Sequence, residues 1–142
     1  VATNDIEVAI TIDNKGLLKT DTFETEINGN WKVADRFTLP WNTKYVTIKA
    51  DNLGGPGGIL ASFNNNVITN CSWECANMHG CHSTNCENHT NWHSAIEYGP
   101  NSASTKPWGG ILRSKISEIA ETAQWIWVND TSASIVWCRK TF

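Results

Sequence analysis

Residues 6–12 alternate strictly between large apolar side chains and side chains that are more polar or smaller. A period of two is typical of a β-strand that buries one face. Residues 45–50 repeat the pattern. We therefore predict two strands here, with the following side chains pointing inward: Ile6, Val8, Ile10, Ile12, Val46 and Ile48.

The pair Asn28-Gly29 separates two further β-rich runs, residues 23–27 and 31–39. Asn-Gly is the pair best suited to positive φ at both central positions of a type I′ turn, which joins antiparallel strands. The sequence therefore predicts a β-hairpin at this pair. Asp35 falls on the apolar phase of the returning strand, where either a bulge or a buried polar partner would accommodate it.

Glycine and asparagine clusters mark two more connections. Residues 51–58 contain four glycines and a proline, which exclude a regular ladder and permit positive φ or a close backbone approach. Asn64-Asn65-Asn66 separates the β-rich runs 59–63 and 67–69. This second arrangement predicts another hairpin.

The rest of the chain adds two strand candidates, residues 124–128 and 135–140, and one helical candidate, residues 114–120. The helical run places Ile116 and Ile119 on one side, but so short a run supports a turn or two at most. The pattern as a whole predicts an all-β fold, most simply an antiparallel β-sandwich. No internal repeat or linker divides residues 1–142, so we expect a single domain.

Charge and composition exclude several classes of protein. The chain has 11 basic and 14 acidic residues without blocks, for a net charge of -3, so it offers no basic stripe to nucleic acid. No apolar run approaches the ~20 residues of a membrane-spanning helix, and we expect no membrane insertion. No nucleophile elbow, P-loop, metalloprotease helix or dinucleotide fingerprint occurs. We therefore do not expect an enzyme.

Cysteines and glycosylation sequons indicate an oxidising compartment. The chain has five cysteines, four of them within residues 71–86. Asn-x-Ser/Thr sequons, the acceptors of N-glycosylation, begin at Asn70, Asn88 and Asn129. Together they favour a secreted, extracellular glycoprotein.

Several motifs in this order resemble a known superfamily. They are the Asn-Gly-Asn-Trp turn at 28–31, Lys-Ala-Asp-Asn at 49–52 with the Gly-Gly-Pro-Gly-Gly-Ile-Leu-Ala-Ser turn that follows, and the segments 72–75, 92–99 and 123–127. The order resembles jelly-roll domains of the galactose-binding-domain-like superfamily, which occur in secreted invertebrate lectin-like proteins and as accessory domains of glycoside hydrolases. The resemblance implies a jelly-roll sandwich with ligand-binding loops at one end, and by analogy sugar binding. The chain departs from it through a cysteine- and histidine-rich insertion at 76–91.

The resemblance also implies a pairing of the cysteines, and hence a disulfide-braced loop insertion. It places Cys75 at the start of the insertion, where a disulfide bond to Cys138 in the final strand would anchor the base of the insertion. Cys81 and Cys86 would then close a small loop. Cys71 is left over, either as a free thiol or as an inter-chain disulfide.

Zinc is the alternative chemistry for this cluster, since thiolate and imidazole are its preferred ligands. The candidate ligands are Cys71, Cys75, Cys81, Cys86, His79, His82, His89 and His93. Their spacing matches no familiar zinc motif, and disulfides usually prevail in secreted proteins.

No cofactor is required by the sequence, but calcium stays open. Loops at strand ends contain hard oxygen donors that could hold a structural ion. These donors are Asp13, Asn14, Asp21, Asp51 and Asn52, and they form no ordered ligand series.

Residues 92–108 combine the two kinds of group that a sugar site needs. An indole stacks on the apolar CH face of a sugar, while carboxylate, amide and imidazole groups pair with its hydroxyls. The predicted sugar-binding residues are Trp92, His93, Glu97, Asn101 and Trp108. The alternative is that Trp92 and Trp108 are packing residues, as most tryptophans of a sandwich are.

Two functions therefore compete. The first is a secreted lectin-like protein that binds glycans or glycoproteins, with galactose-type sugars favoured because their axial hydroxyl leaves one continuous apolar face. One shallow site binds weakly, so we expect a homo-oligomer, with a disulfide through the odd cysteine as one means of linking subunits. The second is a structural extracellular or mucus-matrix glycoprotein without a ligand site.

Overall fold

The computed structural model describes residues 4–78 and 92–142. Almost every element in these ranges is a β-strand, as the sequence predicted. In chain order the elements are β1 Ile6–Asp13, β2 Lys15–Lys19, β3 Glu24–Ile27, β4 Asp35–Leu39, β5 Tyr45–Asp51, β6 Gly58–Phe63, β7 Val67–Ile68, β8 Glu74–Asn77, β9 His93–Ser94, β10 Ile96–Pro100, α1 Trp108–Leu112, β11 Gln124–Trp127 and β12 Ile135–Thr141.

The strands form two sheets whose neighbouring strands are all antiparallel. The first sheet has the order β10-β11-β6-β1-β4, with β7 paired to β6 beside this path. The second sheet has the order β3-β2-β5-β12-β8-β9. The predicted antiparallel sandwich is thereby confirmed at the level of its two sheets.

The main core contains inward side chains from both sheets. All six residues that the alternation placed inward are at most 4% exposed, which confirms that prediction. Trp73 and Trp127 are fully buried in the same cluster and are among its largest side chains. Removal of apolar surface of this kind from water is the dominant favourable term in folding.

From Val8 onward strand β1 is buried on both faces, contrary to the one buried face that its alternation predicted. Ala9 is 7% and Thr11 is 1% exposed, although they lie on the phase opposite to the isoleucines. The reason is a second apolar cluster on this side of the first sheet, in which Ala9 and Leu60 pack with residues from the segment between β10 and β11. Trp108 is the largest side chain that this segment contributes.

The predicted hairpin at Asn28-Gly29 is wrong. Strand β3 pairs with β2 in the second sheet, and β4 pairs with β1 in the first, so residues 28–34 cross from one sheet to the other. Gly29 does not have a positive φ, which a type I′ turn would require. Asp35 finds a polar partner rather than a bulge, because its carboxylate accepts a hydrogen bond of 2.7 Å from the backbone N–H of Asn28.

The second predicted hairpin is confirmed, with Phe63 opposite Val67 across the asparagine turn. The glycine-rich loop shows both properties that its composition permits. Gly54 and Gly55 have φ of 149° and 69°. At Gly58 an added Cβ would lie 2.6 Å from the indole of Trp108, so glycine is needed there for a close approach.

The helix lies at α1 and not at residues 114–120, which form bends and turns. Ile116 and Ile119 are nevertheless buried, at 2% and 3% exposure. Strand β2 was not predicted, and its Leu18 contributes to the main core.

The disulfide that the resemblance implied is present. Cys75 on β8 and Cys138 on β12 are bonded, and they face each other as Cα partners in the second sheet. Cys71 is free and exposed. The proposed pair Cys81 and Cys86 lies outside the described residues, so the structure says nothing of that bridge.

Candidate functional site

Trp108 does not lie on the surface, which corrects its assignment to a sugar site. Its side chain is 2% exposed and stacks on Trp125, with ring centroids 4.3 Å apart. Its indole N–H donates a hydrogen bond of 3.0 Å to the carboxylate of Asp13. Burial raises the pKa of Asp13 above its ordinary value of 3.8, and this hydrogen bond acts in the opposite direction. An enclosed indole cannot stack on a sugar, so Trp108 is a packing residue.

Asn101 is likewise a structural residue and not a sugar ligand. It is 2% exposed, and its amide donates to the carbonyls of Ile116 and Ile119 at 3.0 and 2.9 Å. Its side-chain oxygen accepts from the backbone N–H of Ile116 at 2.7 Å. These three bonds hold the turn segment against the first sheet, which explains why both isoleucines are buried without a helix.

His93 and Glu97 are exposed but belong to different sheets. His93 lies on β9, at the edge of the second sheet, and Glu97 lies on β10, at the edge of the first. The carboxylate of Glu97 accepts a hydrogen bond of 2.8 Å from the backbone N–H of Cys71. The predicted five-residue site is therefore not assembled as the sequence suggested.

Trp92 packs with the outer side of the second sheet. It is half-buried against a small cluster of Ala76 and Met78 that also contacts Trp137. The guanidinium of Arg139 lies 3.9 Å from the centroid of the Trp92 ring. Arg139 in turn donates to the carboxylate of Glu74 at 3.1 Å. One face of Trp92 is thus covered by the guanidinium of Arg139.

Trp137 points away from the main core. It lies between Val136 and Cys138, which are fully buried, and successive side chains of a strand alternate between faces. Its partner on β5 is Lys49 and its partner on β8 is Ala76. Register places Leu17 beside Lys49 and Glu26 beside Leu17, so one row of side chains crosses five strands on the outer face.

A shallow depression of about 290 Å³ lies on the same face, next to Lys49. Its side chains include two carboxylates and two ammonium groups, and Lys19 adds a third cation 5.9 Å from the centroid of the Trp137 ring. We call this surface the Trp137 face. It consists of Lys15, Leu17, Lys19, Glu26, Lys49, Asp51 and Trp137.

The chemistry of the Trp137 face is that of a mixed apolar and polar binding surface. The indole is partly exposed and offers an apolar plane. The carboxylates accept hydrogen bonds and the ammonium groups donate them, so together they can pair with either role of a hydroxyl. Sequence reasoning missed Lys49, Leu17 and Glu26. The available signal was the alternation within 45–50, which leaves Lys49 on the outward phase.

Two of the five candidate calcium ligands, Asn14 and Asn52, hold the glycine-rich loop. The side-chain oxygen of Asn14 accepts from the N–H of Leu53 at 2.7 Å. The amide of Asn52 donates to the carbonyl of Gly55 at 2.7 Å, and its oxygen accepts from the N–H of Gly54 at 3.2 Å. Within 4–78 and 92–142, no three or more His, Cys, Asp or Glu side chains are grouped to hold a metal ion. Most of the zinc candidates, namely Cys81, Cys86, His79, His82 and His89, lie outside the described residues.

The two described sequons differ in their surroundings. Asn70 is half-buried, and its side-chain oxygen accepts from the backbone N–H of Ser72 at 2.9 Å. Asn129 is exposed, in a turn whose next two residues are also exposed. Asn88 lies outside the described residues.

None of the described helices is long and apolar enough to span a membrane. Comparisons of the chain with protein-family models, with curated proteins and with solved structures found no match.

Proposed function

We propose that this chain is an extracellular carbohydrate-binding, lectin-like module of jelly-roll type, and that glycans bind at the Trp137 face. One observation carries the proposal: a partly exposed indole lies in the middle of a sheet face, beside a depression lined by carboxylates and ammonium groups. The Cys75–Cys138 disulfide supports an oxidising, extracellular location.

The combination of an indole with charged hydrogen-bonding groups favours a sugar as the ligand. A pyranose offers a CH face to the indole of Trp137, and its hydroxyls then reach Lys49 on one side and the depression beyond it. A galactose-type sugar suits a single indole, because its axial hydroxyl leaves one continuous apolar face. The site is shallow, so useful affinity requires several copies acting together. Cys71, exposed and free, is placed to link two chains.

The exposed Cys71 also favours a second candidate function, a structural extracellular or mucus-matrix glycoprotein. In that case inter-chain disulfides and attached glycans are the functional features, and no ligand site is needed. The two candidates differ in a single measurable property, the binding of free glycans.

A glycan array followed by titration of the best ligand tests the proposal. We expect the parent to bind, and Trp137→Ala to weaken binding roughly 5–150-fold, equivalent to about 1–3 kcal/mol. Because Trp137 also packs on the cluster of Ala76 and Met78, Lys49→Ala serves as a second variant with less effect on packing. The matched control is Trp41→Ala, which removes an indole that is 66% exposed in the turn between β4 and β5.

If Trp137→Ala and Lys49→Ala bind as the parent does while Trp41→Ala does not, the site lies at the end of the sandwich around Trp41. If the parent binds no glycan, the lectin proposal fails and the matrix function replaces it.

A further inference from the structure

A crevice of about 230 Å³ opens at the side of the sandwich where both sheets end. The chain passes there from β9, the last strand of the second sheet, to β10, the last strand of the first. The walls contain Ile96 and Val128 on the first-sheet side and His93 and Cys75 on the second-sheet side. We call this feature the edge crevice.

The edge crevice exposes apolar surface. Ile96 is 40% exposed, which is high for a large aliphatic side chain on a strand. Val128 is half-buried beside it. A group that covered these two side chains would remove apolar surface from water, which is favourable.

Asn129 lines the same crevice. Asn129 begins the sequon Asn129-Asp130-Thr131, and all three residues are exposed. Its side chain makes no hydrogen bond to the other residues that the structure describes, whereas the side chain of Asn70 is tied to Ser72. An N-linked sugar on Asn129 would therefore start at the rim of the crevice, with no existing bond to break.

We propose that Asn129 carries an N-linked glycan whose first N-acetylglucosamine lies in the edge crevice. The acetamido methyl and the CH face of this sugar contact Ile96 and Val128, and its polar groups lie toward His93. The presence of this glycan rests on the extracellular location proposed above and does not depend on glycan binding at the Trp137 face. It adds a modification with a structural role, because the sugar covers apolar surface that the protein leaves exposed.

The modification is a glycosyl transfer to the side chain of Asn129. The side-chain amide nitrogen of Asn129 attacks the anomeric carbon of an oligosaccharide carried on a lipid diphosphate. The new bond joins that nitrogen to the anomeric carbon, the bond from the anomeric carbon to the diphosphate oxygen breaks, and the lipid diphosphate leaves. The amide nitrogen loses one proton, and nothing is oxidised or reduced. The donor and the transferase belong to the secretory pathway.

Expression of the full chain in a secreting eukaryotic host, with glycopeptide mass mapping, gives the first test. We expect Asn129 to be occupied. An endoglycosidase that leaves one N-acetylglucosamine should preserve the melting temperature of the glycoprotein, because the crevice holds the first sugar alone. The variant Thr131→Ala, which removes the sequon and keeps Asn129, should melt at a lower temperature.

A double-mutant cycle tests the contact itself. Ile96→Ser should lower the melting temperature about 2–4 °C more in the glycosylated chain than in the Thr131→Ala background. Ile111→Ser is the matched control, because Ile111 is 60% exposed on α1 and does not line the crevice. It should have the same effect in both backgrounds. An unoccupied Asn129 overturns the proposal, and so does an Ile96→Ser effect that is equal with and without the glycan.

Discussion

The indole rings of Trp108 and Trp125 are parallel within 8°, with their centroids 4.3 Å apart. Trp125 belongs to β11 of the first sheet, while Trp108 begins α1 in the segment that covers this sheet. The stack therefore fastens the covering segment to the sheet beneath it. The hydrogen bond from Trp108 to Asp13 extends the same attachment to the end of β1.

Replacing Trp108 should destabilise the fold. Trp108→Ala removes a buried indole and leaves a cavity, at a cost of about 3–5 kcal/mol in the free energy of unfolding. Trp108→Phe keeps a ring for the stack and loses the N–H that serves Asp13, so its cost should be smaller, about 1–3 kcal/mol. Urea titration followed by tryptophan fluorescence measures both. A stable Trp108→Ala variant that has lost glycan binding would instead return this residue to a binding site.

Asp13 should make stability fall as pH rises. Its folded pKa is raised above 3.8 by burial, so between that value and the folded pKa the folded chain holds more protons than the unfolded chain. The unfolding free energy therefore decreases with pH through this window and then levels off. Asp13→Asn cannot ionise, and its side-chain oxygen can still accept from the indole of Trp108.

We accordingly expect Asp13→Asn to gain stability relative to the parent as pH rises. Urea titrations of both proteins from about pH 3 to pH 7 give the difference directly. A difference that is constant with pH would show that the carboxyl of Asp13 has the same pKa in the folded and unfolded chains.

The disulfide should contribute strongly to stability. Cys75 and Cys138 are 63 residues apart in sequence, and loop-closure entropy for a loop of this size corresponds to about 4 kcal/mol. The double variant Cys75→Ala, Cys138→Ala should lose an amount of this order in denaturant titration. Cys71→Ser is the control, since an exposed thiol should change stability by less than about 0.5 kcal/mol. Equal stability of the double variant and this control would contradict the prediction.

Gly16 should tolerate no side chain. A Cβ there would lie 2.2 Å from the carbonyl oxygen of Lys49 and 2.7 Å from the Cδ1 of Ile12, and the backbone of β5 cannot yield without breaking its ladder. Gly16→Ala should therefore cost about 1–3 kcal/mol, as overpacking does. Gly29→Ala is the control variant, because nothing lies within 4 Å of a Cβ added at Gly29. Similar melting temperatures for the two variants would show that β2 and β5 can separate freely at this point.

The sequence by itself determined those features that depend only on residues close together in the chain. The alternation in residues 6–12 and 45–50 fixes which side chains share a face, because successive side chains of a strand always point to opposite sides. The Asn64-Asn65-Asn66 turn joins strands that are neighbours in the chain, so its hairpin depends on few other residues. In both cases the structure agrees with the pattern.

Tertiary structure decided what covers each face and which strands pair. The Asn28-Gly29 signal favours a hairpin, but β3 pairs with β2 and β4 pairs with β1, so pairing with other strands prevails over the local turn. Periodicity could not show that the outer face of the first sheet is covered while Trp137 on the second remains partly open, because coverage depends on contacts with segments distant in sequence.

In the sugar site predicted from the sequence, too, residue type was known from the sequence and burial only from the fold. Trp108 and Asn101 have the chemistry of sugar ligands, and composition alone places them in one short polar segment. Their roles depend on partners distant in sequence, since Trp108 bonds to Asp13 across 95 residues. Residue type was determined by the sequence, whereas burial was decided by contacts between distant segments, which form when the two sheets and their covering segment assemble.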